Sequence, residues 1–159
     1  MSYIRYKNNN LYVESVSVRN LATKLETPFY LYSEGNIIEN YKSFLDNFKK
    51  SNPLICFSVK ANSNIQILKV LKKMGSGADV VSGGELLKAV KSGIKPNKIV
   101  FSGVGKTEDE IKLAIKKNIL LINVESENEA ALINKIAGKL KKKIAIGIRL
   151  NPDINAPTH

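Results

Sequence analysis

Short apolar segments alternate with longer amphipathic segments from Pro28 onward, and this alternation constrains the possible fold more than any other feature of the chain. The apolar runs have the length and composition of strands, whereas the longer segments carry apolar residues at helical spacing. Strict alternation with short linkers predicts right-handed βαβ units and a parallel sheet. The predicted strands are 29–32, 54–60, 78–81, 99–101, 119–124 and 143–150, and the predicted helices are about 33–50, 64–74, 84–92, one that begins after 107, and 126–140.

The chain length limits how the predicted sheet can close. At most six parallel strands fit into the 159 residues, whereas a closed barrel of eight βα units typically needs ~250 residues. We therefore predict an α/β fold with about five to six parallel strands, either as an open sheet or as the front part of a (β/α)8 TIM barrel. Residues 1–26 are predicted to form an amino-terminal segment with a possible strand at 11–18, and residues 27–159 the barrel domain.

Local signals mark the ends of several predicted helices. Ser33 is a candidate N-cap, and Thr107 with Glu110 three residues later matches a capping box. Gly75 and Gly93 follow two helical segments, at the position where a helix commonly ends on glycine. These signals predict separate helices rather than one long one.

The composition is that of a soluble globular protein, with 43% apolar and 25% charged residues. No window of ~18 consecutive apolar residues indicates a membrane span, and the first ten residues lack the apolar core of a secretory signal. The single cysteine, Cys56, lies within a predicted strand, which indicates a buried thiol rather than a disulfide. These features predict a reducing, cytoplasmic location and no membrane partner.

The formal net charge of +11 raises the question of a nucleic-acid partner. However, the lysines are spread over all helix-like segments, and the sequence lacks base-stacking or base-reading elements. A compositional bias toward Lys, Ile and Asn explains the charge more simply. We therefore do not predict nucleic-acid binding.

Lys60 ends the apolar strand at 54–60. Parallel-sheet enzymes carry their chemistry at the carboxyl ends of strands, which is where this lysine is expected. Burial there would favour the neutral amine over the ammonium form. A neutral amine is what a lysine needs to form a Schiff base with a carbonyl cofactor.

Other polar residues follow the remaining predicted strands and are expected to converge on the same rim. They are Asp79 and Glu85, Ser102 and Lys106, Asn123 and Glu125, and Arg149 and Asn151. No metal site is predicted, because one histidine, His159, and one cysteine cannot assemble a standard zinc site.

Five segments, in this order along the chain, resemble motifs of the fold-type III pyridoxal-phosphate decarboxylases. They are 57–62 (FSVKAN), 77–86 (GADVVSGGEL), 99–107 (IVFSGVGKT), 123–126 (NVES) and 149–153 (RLNPD). The segment at 99–107 and the two that follow it are similar to the diaminopimelate decarboxylase branch in particular. The resemblance covers about residues 27–159 and is more specific than any single motif.

The resemblance implies an alanine-racemase-type barrel, followed in the family by a β domain. It implies decarboxylation of meso-2,6-diaminopimelate to L-lysine and CO2 with pyridoxal 5′-phosphate. Lys60 would form the covalent bond to the cofactor, and Asp79 and Glu85 would line its pocket. Arg149 would lie near the cofactor, and Ser58 would lie beneath its ring.

Structural roles for three of these residues stay open. Asp79 is also suited to capping the turn that follows its strand. Glu85 is also suited to being a first-turn carboxylate favoured by the helix dipole. Arg149 is also suited to being a structural ion-pair partner.

In the family, the phosphate-binding loop, the cofactor-stacking histidine and the carboxyl-terminal β domain come later than the residues present here. The resemblance thus predicts an amino-terminal part of a homodimeric enzyme, with little activity of its own, and His159 is not assigned the stacking role. Two alternatives are an ornithine- or arginine-type decarboxylase and a non-catalytic cofactor-binding or interaction remnant.

Overall fold

The structure is a computed structural model that describes residues 3–152 and 154. The chain falls into two compact units, Met1–Pro53 and Leu54–His159, and each is described by itself. The sequence predicted a division between residues 26 and 27, at a different place, and that domain boundary stays a prediction.

The first unit begins with a three-stranded antiparallel sheet in the order β1-β2-β3. Its strands are β1 (Ile4–Lys7), β2 (Asn10–Val13) and β3 (Val16–Ser17), and a short helix α1 (Val18–Ala22) follows. The predicted strand at 11–18 is therefore split, because the chain turns at Glu14, which has a φ of 55°.

Helix α2 (Glu34–Phe48) confirms the helix predicted from 33 to 50. As predicted, Ser33 is its N-cap: Ser33 Oγ accepts a hydrogen bond from Asn36 N at 3.0 Å. Ser33 Oγ also donates to Glu14 Oε1 at 2.6 Å, and the backbone N–H of Gly35 donates to the same oxygen at 2.8 Å. These bonds hold the pKa of Glu14 below its usual value and tie the start of α2 to the antiparallel sheet.

The predicted strand at 29–32 is wrong, since this segment has no regular secondary structure. Tyr30 and Tyr32 stack on each other with ring centroids 6.3 Å apart, and Tyr30 is 89% exposed. The aromatic composition of the segment suits a strand, but composition alone does not supply a neighbouring strand with which to form hydrogen bonds.

The second unit is a five-stranded parallel sheet in the order β4-β5-β6-β7-β8, with a helix after each of the first four strands. This confirms the predicted α/β class and parallel alternation. The strands are β4 (Cys56–Ser58), β5 (Gly77–Val80), β6 (Ile99–Phe101), β7 (Leu121–Val124) and β8 (Ala145–Ile148), and the helices are α3 (Ile65–Lys73), α4 (Gly83–Lys91), α5 (Glu108–Lys117) and α6 (Glu127–Lys139).

The two faces of the parallel sheet differ in polarity. Val80, Phe101 and Ile122 are neighbours in register, fully buried, and part of one apolar cluster with residues of all four helices. Because side chains alternate along a strand, the neighbours of these residues project from the other face. That second face carries the polar residues described below.

Helices α4, α5 and α6 begin in the same way, at the carboxyl end of the sheet. Each has a hydroxyl N-cap that accepts a hydrogen bond from a glutamate N–H three residues later; the pairs are Ser82–Glu85, Thr107–Glu110 and Ser126–Glu129. The capping box predicted at Thr107 is confirmed. Among the described residues, no helix is long and apolar enough to cross a membrane.

Candidate active site

Lys60 lies in a single 3₁₀ turn (Val59–Ala61) that follows β4 directly. The predicted strand at 54–60 thus ends at Ser58, and the expected burial of Lys60 is not found, because the turn lifts the side chain beyond the sheet into an exposed position. Lys60 makes no hydrogen bond or ion pair with any residue in the described part of the chain. Its amine is therefore accessible to a ligand at the carboxyl end of the sheet.

Four polar side chains form a row across neighbouring strands, which we call the polar row: Ser58, Asp79, Ser102 and Asn123. Ser58 in β4 is in register with Asp79 in β5. Ser102 Oγ, directly after β6, donates to Asp79 Oδ1 at 2.5 Å. Asn123 Nδ2 in β7 donates to Ser102 Oγ at 2.9 Å. The row therefore contains a directed chain of two hydrogen bonds that ends on the carboxylate.

Glycine in the fifth strand makes space for this row. Gly147 in β8 is in register with Asn123, and a Cβ atom at Gly147 would collide with Asn123 Oδ1. Only a residue without a side chain allows the Asn123 amide to keep its orientation.

Ser58 has an unsatisfied hydroxyl. Its Oγ is buried and has no hydrogen-bond partner among the described residues. A buried polar atom without a partner is costly and is therefore rare in folded proteins. This orphaned hydroxyl is on the residue in register with Asp79 and two residues before the accessible Lys60. The three groups fit a ligand that brings hydrogen-bonding groups and a carbonyl carbon.

Cys56 precedes Ser58 in β4 and is partly rather than fully buried. Burial raises the pKa of the Cys56 thiol, the charge of Asp79 raises it further, and Lys98 acts in the opposite direction. The charge of Asp79 is therefore one of the influences on the pKa of this thiol.

Glu85 is held by the backbone next to the row. Its Oε2 accepts a hydrogen bond from Val81 N at 2.8 Å, and its own N–H donates to Ser82 Oγ at 3.2 Å. The carboxylate thus fastens the turn between β5 and α4, the turn that directly follows Asp79. Its predicted place in the cofactor pocket stays a prediction.

Arg149 follows β8 and reaches across to the end of β7. Its Nη1 lies 3.2 Å from Glu125 Oε2, and 64% of its side chain is exposed. Glu125 also accepts a hydrogen bond from Gly103 N at 3.2 Å. The ion pair that the sequence left open is therefore present, at the same end of the sheet as Lys60.

The sequence did not predict a role for Lys106, which is a buried ion-pair partner. Its Nζ donates to Glu129 Oε1 at 2.6 Å and to the carbonyls of Gly103 and Asn123 at 2.7 Å each, and 1% of the side chain is exposed. All three ammonium protons are used, so Lys106 is structural rather than ligand-binding. The sequence feature that could have indicated a partner for Lys106 is Glu129. It stands three residues after the N-cap Ser126, as Glu110 stands three residues after the N-cap Thr107.

Two surface cavities lie near the end of β7, of about 380 Å³ and 260 Å³. Both are lined by Glu125 and Ser126, and neither contains Lys60 or Asp79. No group of three or more His, Cys, Asp or Glu in the described ranges could hold a metal ion. His159 and Asp153 lie outside the described residues.

Comparisons with known proteins identify the family to which this chain belongs. Residues 34–159 match the pyridoxal binding domain of the pyridoxal-dependent decarboxylases. The chain belongs to this family, which confirms the predicted cofactor class and the carboxy-lyase family.

Several similar proteins belong to one branch of this family. The chain is 47% identical over 157 residues to a diaminopimelate decarboxylase of Aquifex aeolicus, covering 99% of this chain and 37% of the relative. It is 52% identical over 134 residues to that of Helicobacter pylori, covering 84% and 33%. A crystal structure of diaminopimelate decarboxylase from M. jannaschii with L-lysine has a TM-score of 0.92 at 37% identity, covering 96% and 36%.

The chain therefore spans about a third of the length of these relatives. Its parallel βα units are those of part of a TIM barrel, as predicted, and the recognition of the diaminopimelate decarboxylase branch is confirmed by these similarities.

Proposed function

We propose that this chain is the lysine-bearing part of a diaminopimelate decarboxylase, which converts meso-2,6-diaminopimelate to L-lysine and CO2 with pyridoxal 5′-phosphate. The observation that carries the proposal is the accessible Lys60 amine two residues after the buried, unpartnered Ser58 hydroxyl, at the carboxyl end of a parallel sheet. The names of the similar proteins support the substrate, and the M. jannaschii structure contains the corresponding product.

In this proposal Lys60 provides the primary amine that holds the cofactor covalently. Its position in a turn beyond β4 lets the long side chain reach a ligand without distorting the sheet. Ser58, two residues earlier, offers the ligand one hydroxyl that the protein leaves unpaired. Asp79, opposite Ser58, contributes a negative charge.

When bound, pyridoxal 5′-phosphate supplies the electron-accepting ring that makes loss of CO2 from an amino acid feasible. The chain's own residues bind and orient. Glu85 fixes the turn after Asp79, so that the carboxylate stays at the rim. When not bonded to the cofactor, the Lys60 amine would also be placed to hold a proton at Nζ.

Arg149 is proposed to bind an anionic group of the ligand. Its pair with Glu125 is a surface pair with a donor–acceptor distance of 3.2 Å, and such pairs contribute only about 0–1 kcal/mol. The guanidinium can therefore exchange Glu125 for a ligand carboxylate or phosphate at low cost.

Assembly as a homodimer and a cytoplasmic location are part of the same proposal, supported by the resemblance to the family. Light scattering of an intact protein of this family tests the first: a mass of two chains is expected, and a strictly monomeric mass at high concentration contradicts it.

Cofactor trapping tests the central claim. The chain is mixed with pyridoxal 5′-phosphate, reduced with borohydride, and digested for peptide mass spectrometry. A dominant adduct on Lys60 is expected, which Lys60→Ala abolishes. Lys69→Ala, which removes an exposed lysine from α3, is the matched control and keeps the adduct. Equal labelling of many lysines, or an undiminished yield in Lys60→Ala, contradicts the assignment.

Substrate protection in an intact homologous chain tests the substrate class. An amino acid that fits the site competes with the lysine that corresponds to Lys60 for the cofactor and lowers the labelling of that lysine. We expect meso-diaminopimelate to protect at lower concentration than ornithine or arginine. Stronger protection by ornithine or arginine would favour the ornithine- or arginine-type alternative.

A further inference from the structure

The polar row holds a half-buried carboxylate that has no counter-charge. Asp79 accepts one hydrogen bond, from Ser102 to Oδ1, and forms no ion pair with any residue of 3–152 or 154. Removing a carboxylate from water without a cation is unfavourable. The row is therefore incomplete without a positively charged group.

The direction of the hydrogen bonds in the row is fixed by Asn123. Its Nδ2 is a donor only, so Ser102 Oγ must accept from it. The single proton of the Ser102 hydroxyl is then directed to Asp79 Oδ1. With one oxygen bound, the carboxylate is held in one orientation, and its second oxygen has no partner among the described residues.

We propose that Ser102 and Asn123 are positioning residues. They hold the Asp79 carboxylate so that its second oxygen, on the residue in register with Ser58, accepts a hydrogen bond from a cationic nitrogen in the cofactor site. This inference rests on the proposed function and adds two residues to which the sequence assigned no role. Gly147 supports the same arrangement, because the lack of a side chain there lets the Asn123 amide face Ser102.

The first test measures the dissociation constant of pyridoxal 5′-phosphate by absorbance titration. Ser102→Ala and Asn123→Leu are expected to weaken binding about tenfold, since each removes a bond that orients a charged acceptor. Ser102→Thr keeps a hydroxyl and is expected to restore binding to within about threefold. Ser92→Ala is the matched control, because Ser92 is a buried serine whose Oγ donates to Ala89 O at 2.7 Å, at the other end of α4.

The second test needs no cofactor and uses the thiol of Cys56. Burial, the Asp79 charge and the opposing Lys98 charge set the pKa of this thiol. Asp79→Asn is expected to lower the pH midpoint of its reaction with a thiol reagent. Ser102→Ala and Asn123→Leu are expected to shift the midpoint the same way, because a released carboxylate turns toward solvent, where its charge is screened.

These two readouts separate the two proposals. If the wild-type chain forms no Lys60 adduct, the proposed function fails, and the Cys56 midpoints still report whether Ser102 and Asn123 hold Asp79. If Ser102→Ala matches Ser92→Ala in both the midpoint and the dissociation constant, the positioning role is overturned.

Discussion

Glu110 in α5 accepts a hydrogen bond from the backbone N–H of Gly83 in α4, with Glu110 Oε1 2.8 Å from Gly83 N. The other oxygen, Oε2, accepts from Thr107 N at 3.0 Å. One carboxylate thus joins the first turns of two consecutive helices, and these bonds hold its pKa below the ordinary value of 4.5.

Replacing Glu110 is therefore expected to destabilise the chain in a pH-dependent way. Glu110→Ala should lose about 1–2 kcal/mol near neutral pH, the range for a lost cap, as measured by urea unfolding. Because the folded pKa is lowered, this contribution is fully present above pH 4.5 and is lost as the pH falls through the folded value. Glu108→Ala, also in the first turn, should cost less than about 0.5 kcal/mol; equal losses would contradict the double contact.

The ion pairs Lys106–Glu129 and Arg149–Glu125 should contribute very different amounts to the free energy of unfolding. Lys106→Met leaves Glu129 without its buried partner, and breaking such a pair costs about 3–5 kcal/mol. Arg149→Met removes a largely exposed partner of Glu125 and should cost less than about 1 kcal/mol. Denaturant midpoints measure both. A smaller loss for Lys106→Met than for Arg149→Met would contradict a stabilising buried pair between Lys106 and Glu129.

Two glycine-to-alanine changes should shift the free energy of unfolding in opposite directions. A Cβ at Gly77 would collide with the backbone carbonyl of Lys98 and crowd Cys56 Sγ, and the carbonyl cannot easily move. Gly77→Ala should therefore destabilise by about 1–3 kcal/mol. Gly138 lies inside α6 with nothing near its Cβ position, so Gly138→Ala should stabilise by about 0.5–1 kcal/mol. Thermal unfolding of both variants checks the signs.

Ser58→Ala should weaken cofactor binding and raise the stability of the chain. The Ser58 hydroxyl is buried without a partner, and removing such a group relieves about 1–3 kcal/mol of desolvation cost. The variant should be more stable than the wild type without cofactor and should bind pyridoxal 5′-phosphate more weakly. Ser92→Ala, which loses a satisfied hydroxyl, should be less stable. A destabilised Ser58→Ala would mean that its hydroxyl has a structural partner.

The sequence predicted the second unit well because its signals are local. Hydroxyl N-caps and apolar runs located β6 and the start of α5. The segment at 29–32 failed because strand formation depends on a partner strand, which composition does not report. The exposure of Lys60 was missed for a related reason, since no sequence pattern marked the turn Val59–Ala61.

The site was predicted as a list of residues rather than as a connected row. The carboxyl ends of β6 and β7 were identified correctly, but the hydrogen bonds among Asp79, Ser102 and Asn123 depend on sheet register. Register is a property of paired strands and is not readable from one segment alone.

The polar row also determines where the chain can tolerate a change in length. Its members are separated by 23 residues between Asp79 and Ser102 and by 21 between Ser102 and Asn123, yet the row depends on strand phase and not on these intervals. One residue inserted into β5 would turn Asp79 to the apolar face. The same insertion in an exposed loop between a helix and the next strand would leave the row unchanged. Homologous chains can therefore drift in loop length while keeping the same chemistry at the rim.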